Sequence, residues 1–361
     1  MNRLVLIGNG FDLAHGLKTK YEHFIDWYWE EWGNRLMRMS DNSISDEFCS
    51  FKLNNIGISD WYLVRDWYYK KRGMEAKEFI QRVKLDAQLC DFEYKSTFFE
   101  RINFDIETTG WVDIENVYYR FLTMVLENAI IPDLRDYEKL NFQLNVLKDY
   151  LIKYLKLEEK KKIIYLDKIN EKIYRPVERR EIAVGIPFGF SREDLNVDYV
   201  QLLNFNYTTT PELYLADNTT VNYIHGKLDK PQGVIFGYGD ELDENYKRLK
   251  EQNDSECMRH VKSIRYLEHD NYRRMLEFIE SGPFQTVIMG HSCGNSDRTL
   301  LNTIFEHPNC VSIKPYYHQI GDRKDNYSEL TININRNFSD PKLMRDRVVC
   351  KDYCEPLIKK T

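Results

Sequence analysis

No apolar run in this 361-residue chain approaches the roughly 18–20 residues needed to span a bilayer, so no spanning helix is expected. A secretory leader is not expected by the same measure, since it needs an apolar stretch of roughly 7–15 residues and a small-residue cleavage site. The start, MNRLVLIGNG, stays apolar only to Ile7 and then enters a glycine turn, which reads as a buried strand. Cysteine is scarce and poorly spaced. The seven residues are odd in number, hold no C-x-x-C pair, and the closest two, Cys350 and Cys354, are four apart. That spacing excludes a disulfide framework and a four-cysteine zinc module. Reduced thiols in a cytoplasmic protein, with no metal site, are the expectation. A basic excess is missing too: 51 Lys and Arg stand against 57 Asp and Glu, a formal net charge of −6. This excludes a globally basic nucleic-acid binder and leaves only a local basic patch open.

What is present is enough to build a core. Hydrophobic residues make up 42% and aromatics 14%, which rules out a disordered chain. The length suggests two units, or one core with a large insertion, at roughly 100–200 residues per domain. Texture changes twice along the chain. From Tyr21 to Arg180 proline is almost absent, and apolar residues recur at three- and four-residue spacing. YEHFIDWYWEEW, AKEFIQRVKLDAQL, ENVYYRFLTMVLENAI and KLNFQLNVLKDYLIKYLKLEEKKKIIYLDKINEKIY read as amphipathic helices. Within the fourth, EEKKK at Glu158–Lys162 reads as a solvated face or a helix joint. Trp27, Trp29 and Trp32 serve either as core or as an oligomer interface.

After about 184 short strand-like runs take over: VDYVQLLNFNY, TVNYIHG, GVIFGYG, QTVIMGHS, CVSIKPYY and ELTININ. Helical stretches at 260–281 and 296–307 separate some of them. Such alternation predicts an α/β fold: a Rossmann-like, mostly parallel sheet covered by helices. The first strand belongs with this later set. The expected organisation is a discontinuous sheet domain of 1–20 and 184–361, interrupted by a large α-helical insertion at 21–183.

Five constellations fall where chemistry is possible. Gly8-Asn9-Gly10-Phe11-Asp12 follows the first strand, with His15 and Gly16 close behind. Glycines there let backbone approach a phosphate, and ligands of such sheets bind outside the carboxyl ends of strands. The plainer reading is a tight turn. Asn204-Phe205-Asn206-Tyr207-Thr208 ends another strand and offers amides and a hydroxyl to a sugar, or caps a helix. His225-Gly226 ends a third, where a histidine suits general-base work or simple packing. Gly290-His291-Ser292-Cys293-Gly294-Asn295-Ser296-Asp297 ends a fourth, with Gly290, Ser292 and Asp297 as candidate ligand contacts. Its G-H-S-C-G resembles a serine-hydrolase elbow, but no strong acid motif lies between Ser292 and the downstream His307 and His318. Trp111-Val112-Asp113-Ile114-Glu115 leads into a helix. Asp113 and Glu115 are there either accessory acids or a cap with an acidic first turn.

Together these residues resemble the AbiH family of bacteriophage abortive-infection proteins. The resemblance rests on GNGFDLAHGLKTKYEHF, WVDIE, NFNYTTT, YIHG, IFGYGDE and IMGHSCGNSD, in order from residue 4 to about 300. AbiH proteins in turn look like distant members of the sirtuin-like NAD-binding superfamily. On that likeness GNGFD sits where sirtuins carry G-A-G-I-S, NFNYT where they carry T-Q-N-I-D, and His225-Gly226 where they carry the catalytic H-G. The chain departs from it at Thr208, which replaces an aspartate, and in having no zinc-binding cysteine module.

The resemblance implies NAD as substrate or ligand, with hydrolysis of its nicotinamide–ribose bond as the chemistry. Asn206 and His225 would be the catalytic pair. Gly8, Asn9, Gly10, Phe11, Asp12, His15, Asn204, Thr208, Gly290, Ser292 and Asp297 would line the binding site. The alternative is a non-catalytic sensor of NAD or ADP-ribose. A third reading, an RNA-targeting toxin, rests on Arg265 and His269 on one helix. Expected partners are a nucleotide, an unknown phage-derived trigger and a second copy of the chain. Neither a membrane nor a nucleic acid is among them.

Overall fold

The computed structural model describes residues 1–54, 57–67, 75–86, 88–134, 136–183, 195–321 and 324–359. The chain divides into two compact units, one of Met1–Thr19 with Leu155–Thr361 and one of Lys20–Tyr154. The boundary read at 184 lies outside the described residues.

In chain order the first unit opens with β1 (Asn2–Ile7) and α1 (Asn9–Ala14). The second unit carries α2 (Tyr21–Met37), β2 (Ser43–Ser45), β3 (Cys49–Leu53), α3 (Ile58–Asp66), α4 (Ala76–Lys84), β4 (Cys90–Tyr94), α5 (Thr97–Thr109) and α6 (Ile114–Leu126). Helix α7 (Tyr137–Glu159) runs across the boundary. The first unit resumes with α8 (Asp167–Tyr174), β5 (Val200–Asn204), β6 (Thr219–Tyr223), α9 (Glu244–Lys250), α10 (Lys262–Arg265) and α11 (Asn271–Glu280). It ends with β7 (Phe284–Met289), α12 (Arg298–Phe305), β8 (Cys310–Tyr316), β9 (Gln319–Gly321), β10 (Lys324–Asp325), α13 (Tyr327–Arg336) and α14 (Pro341–Arg347).

Five of these strands form one sheet in the order β6-β5-β1-β7-β8, and every pairing in it is parallel. The α/β fold expected from the alternating texture is therefore present. Strand β1 is central, and Leu4 to Ile7 are fully buried because both sheet faces are covered. Leu4 and Leu6 pack with Met275, Leu301 and Ile334, whereas Val5 and Ile7 pack with Phe11, Ile169 and Tyr214. After β1 the chain winds outward through β5 and β6, then returns across to β7 and β8. The winding reverses between β1 and β7, and that reversal opens the place where such sheets bind ligands.

Two runs read as strands are not strands. ELTININ lies in α13, because Leu330 and Ile334 are four apart and together face the core. GVIFGYG makes only an isolated bridge, Tyr238 to Val261. It is pinned instead to the turn after β6: Ile235 N–H donates to His225 O at 2.9 Å. Gly226, at φ +87°, is pressed so close that a Cβ would stand 2.3 Å from Gly233 O.

The second unit is not purely helical. Strands β2, β3 and β4 form an antiparallel sheet that the helical spacing does not announce. Its core is aromatic, with Phe48 stacked on Phe99 at 4.6 Å and Tyr28 edge-on to Phe99 at 4.7 Å. Trp29 and Trp32 belong to that core, their indole N–H groups donating to Asn103 (2.7 Å) and Asp46 (2.6 Å). Among the described residues no helix is long and apolar enough to cross a membrane.

Candidate functional site

The glycine turns after β1 and β7 meet at the winding reversal. Gly10 N–H donates to Gly290 O at 2.8 Å, and Gly8 N–H donates to Met289 O at 3.2 Å. A Cβ on Gly290 would stand 2.1 Å from Phe11 N, and one on Gly8 would stand 2.4 Å from His291 Cα. These glycines therefore serve backbone-to-backbone contact. Phe11 N–H is also engaged, by Gly8 O at 2.9 Å. The half-buried residues of this turn are Asn9 and Gly10. Asn9 accepts from the Thr19 hydroxyl at 2.5 Å.

The turn after β5 is tied to the turn after β1 by a side chain. Asn206 Nδ2 donates to Gly8 O at 3.0 Å. Asn204, fully buried, braces the same turn: it accepts from Asn206 N–H (3.1 Å) and donates to Thr208 O (3.0 Å). Thr208 Oγ1 donates to Asp12 Oδ2 at 2.7 Å. The other oxygen of Asp12, Oδ1, is buried and accepts no hydrogen bond. Burial pushes the Asp12 carboxyl up to about 6, against the pull of Thr208, Thr210 and Asn206. Glu159, at the end of α7, adds to the rise and itself accepts from Thr209 N–H and Oγ1 at 2.8 Å. In the EEKKK run the two glutamates are thus committed to contacts, Glu158 also accepting from Lys18 N–H at 3.0 Å, whereas Lys160, Lys161 and Lys162 are a solvated face.

This arrangement has a consequence for stability. Because the folded pKa is raised, the folded state binds a proton that the unfolded chain has released. Stability is highest below pH ~4 in this respect and is lost as the pH rises through about 6, by up to roughly 3 kcal/mol. Asp12→Asn should therefore unfold at higher denaturant concentration than the parent at neutral pH. That advantage should shrink as the pH is lowered from about 6 and be gone below about 4.

His225 lies just after β6 and is buried. Its Nδ1 lies 3.2 Å from Phe205 O, and its Nε2 lies 3.1 Å from Tyr266 OH and 3.2 Å from Asp297 Oδ1. Asp297 also receives Lys262 Nζ at 2.8 Å and faces His291 Nε2 at 3.5 Å. His291 Nδ1 accepts from Cys293 N–H at 3.0 Å, so its proton sits on Nε2, toward Asp297. Burial and the Lys262 charge lower the pKa of His225, against the pull of Asp297. Burial alone would raise Asp297, yet Lys262 and His225 hold it well below the usual carboxylate range. Phe205, its ring 4.1 Å from that of His291, joins this cluster to the Asn204–Thr208 turn.

The structure thus brings Gly8, Gly10, Asp12, Asn204, Asn206, Thr208, His225, Gly290 and Asp297 to one end of one sheet. Other candidates have local duties. Phe11 is fully buried in the core. His15 uses both ring nitrogens, toward Phe11 O and Tyr214 OH, each at 2.7 Å. Ser292 is exposed, and its carbonyl accepts from Asn333 Nδ2 at 3.0 Å. Asp113 and Glu115 belong to the second unit, where Asp113 caps α6 by accepting from Asn116 N–H at 3.0 Å. The cluster also contains Lys262, Tyr266 and His291, which the strand-end pattern did not single out. Asn337 in addition holds the 290–297 loop, donating to Cys293 O at 2.9 Å. Cys293 has φ +54°, a left-handed backbone in a residue other than glycine.

A family model described as "Bacteriophage abortive infection AbiH" matches residues 4–318. The chain belongs to the AbiH family. No curated protein and no solved structure matches it. Every strand-end motif of this AbiH site lies inside the matched residues.

Proposed function

We propose that this AbiH protein binds NAD at the strand-end site and hydrolyses its nicotinamide–ribose bond, so that infection ends in loss of the cell's NAD. The observation that carries the reading is the bond from Asn206 to Gly8 O at the winding reversal, with the His225–Asp297 pair directly behind. The likeness of the three motifs to a sirtuin-like site supports it. The residues fit the ribose and nicotinamide half best. Asp12 Oδ1 is a buried acceptor lacking a donor, which a hydroxyl or carboxamide N–H would supply. The N–H groups of Gly8, Gly10 and Phe11 are taken by the protein itself, so a pyrophosphate would rely on other donors.

In this reading nicotinamide leaves as a neutral base and water supplies the new oxygen on the ribose. Asn206, half-buried, orients the ribose or that water. His225 acts at the same end as a base by exchanging Tyr266 for a substrate hydroxyl. The test is nicotinamide release by purified protein, alone and with phage-infected extract as the source of a trigger. Asn206→Ala should lower turnover roughly 10²-fold, the usual loss for one positioned donor. Asn206→Ala and His225→Ala variants that both release nicotinamide at the parent rate would refute the site.

One observation favours the sensor reading: both nitrogens of His225 are already engaged inside the protein. Tight NAD or ADP-ribose binding by calorimetry, with no turnover even in infected extract, would select it. The RNA-toxin reading gains no comparable support, since Arg265 is paired with Glu268 at 2.5 Å.

A further inference from the structure

We infer that Asp12, through its Oδ1, is the group that takes the proton from the attacking water; this rests on the NAD-hydrolysis reading above. His225 must first give up Tyr266 to act as a base, whereas Asp12 needs no such exchange. The residue is 1% exposed, Oδ2 is fixed by Thr208 at 2.7 Å, and Oδ1 is buried without a donor. Most buried acceptors in native proteins are satisfied, and of those left without a partner among the described residues Asp12 Oδ1 is the one that is a carboxylate oxygen at the ligand end of the sheet. The donor fits a water or a sugar hydroxyl. The position is apt: Asp12 lies in the first turn after β1, and its neighbour Asn206 is half-buried, where the site opens.

The surroundings tune the carboxyl for this duty. Facing it are Thr208, Thr210 and Asn206 from the segment after β5, and Glu159 from the end of α7. His15, from α1 itself, is committed to Phe11 O and Tyr214. Burial together with Glu159 sets the carboxyl at about 6, against the three polar neighbours, so it is ionised at neutral pH yet basic enough to accept a proton. In the step, the water oxygen bonds to C1′ of the ribose as the C1′–nitrogen bond breaks. The electron pair of that bond leaves with nicotinamide and cancels the pyridinium charge. One water proton passes to Asp12 Oδ1, which later returns it to solvent.

The test uses the full chain and carbocyclic NAD, an analogue that cannot be hydrolysed. Calorimetry in buffers of different ionisation heat counts protons on binding. At about pH 5.5 the parent should release up to one proton, because a hydroxyl or water donor favours the ionised carboxylate, and at about pH 8 it should release none. Asp12→Asn should bind the analogue with no such release and hydrolyse NAD at least ~10²-fold more slowly. Thr208→Val, which removes a donor to the ionised form, should move the acid limb of kcat/KM to higher pH, and Thr208→Ser should restore it. A merely structural role would lower the amplitude and leave the limb in place. Binding with the same proton count in the parent and Asp12→Asn overturns the role of Asp12 and leaves the NAD site standing. Failure of the analogue to bind at all overturns both.

Discussion

Gly290→Ala should cost this protein a large share of its stability. The residue sits at φ +76°, a conformation that costs a non-glycine residue about 1–3 kcal/mol. Strain is the smaller part. An added Cβ would lie 2.1 Å from Phe11 N and 2.5 Å from Gly10 C, and both are backbone atoms that cannot rotate away. Relief requires the turns after β1 and β7 to separate, which breaks the bond from Gly10 N–H to Gly290 O. Overpacking of that kind adds about 1–3 kcal/mol, so the total of roughly 2–6 competes with a whole-domain stability of about 5–15. Urea unfolding followed by circular dichroism measures it, as a fall in the midpoint without a change in slope. Gly16→Ala is the control. Gly16 has φ +86°, but a Cβ there meets nothing within 4 Å, so it should lose only the conformational share. Equal midpoints for the two variants would mean that the glycine turns do not abut.

The same pair of turns shows where sequence reading succeeds and where it stops. RLVLI, VQLLN and FQTVIM are mostly apolar and lack the in-out alternation of a half-exposed strand, as a strand covered on both faces does. Each ends in Gly, Asn or His, so the ligand end of the sheet was legible too. Partnership across the chain was not. Gly8 and Gly10 have the spacing of a phosphate-cradling turn, yet their close neighbour is Gly290, which no local pattern pairs with them. ELTININ misled because alternating Ile and Asn satisfies a strand, whereas Leu330 and Ile334 also satisfy a helix, and core packing decides for the helix. Lys262 is the hardest case. A lysine beside His260, Val261 and Ser263 reads as a solvated helix residue, and the carboxylate of Asp297, far along the chain, makes its burial tolerable.

That dependence yields the second large effect. Asp297→Ala should destabilise the fold by about 3–5 kcal/mol, because it removes the carboxylate facing a lysine that is only 1% exposed. The loss should exceed that of deleting any surface pair, such as Lys342 with Asp346, which is worth about 0–1 kcal/mol. Lys262→Met combined with Asp297→Leu should recover most of it, since two apolar side chains of similar volume leave no buried charge. A double-mutant cycle in urea separates the pair from its neighbours, and a coupling energy near zero would mean that Lys262 and Asp297 do not depend on each other. The pH dependence has a definite sign. Asp297 is held below the usual carboxylate range, so its contribution is present above the ordinary aspartate pKa and fades as acid lowers the pH beyond it. Asp12 runs the other way, losing stability as the pH rises through about 6. One end of one sheet therefore holds a carboxylate that supports the fold and a second that weakens it at neutral pH. A group kept at the expense of stability is the one whose place in the site calls for a chemical reason.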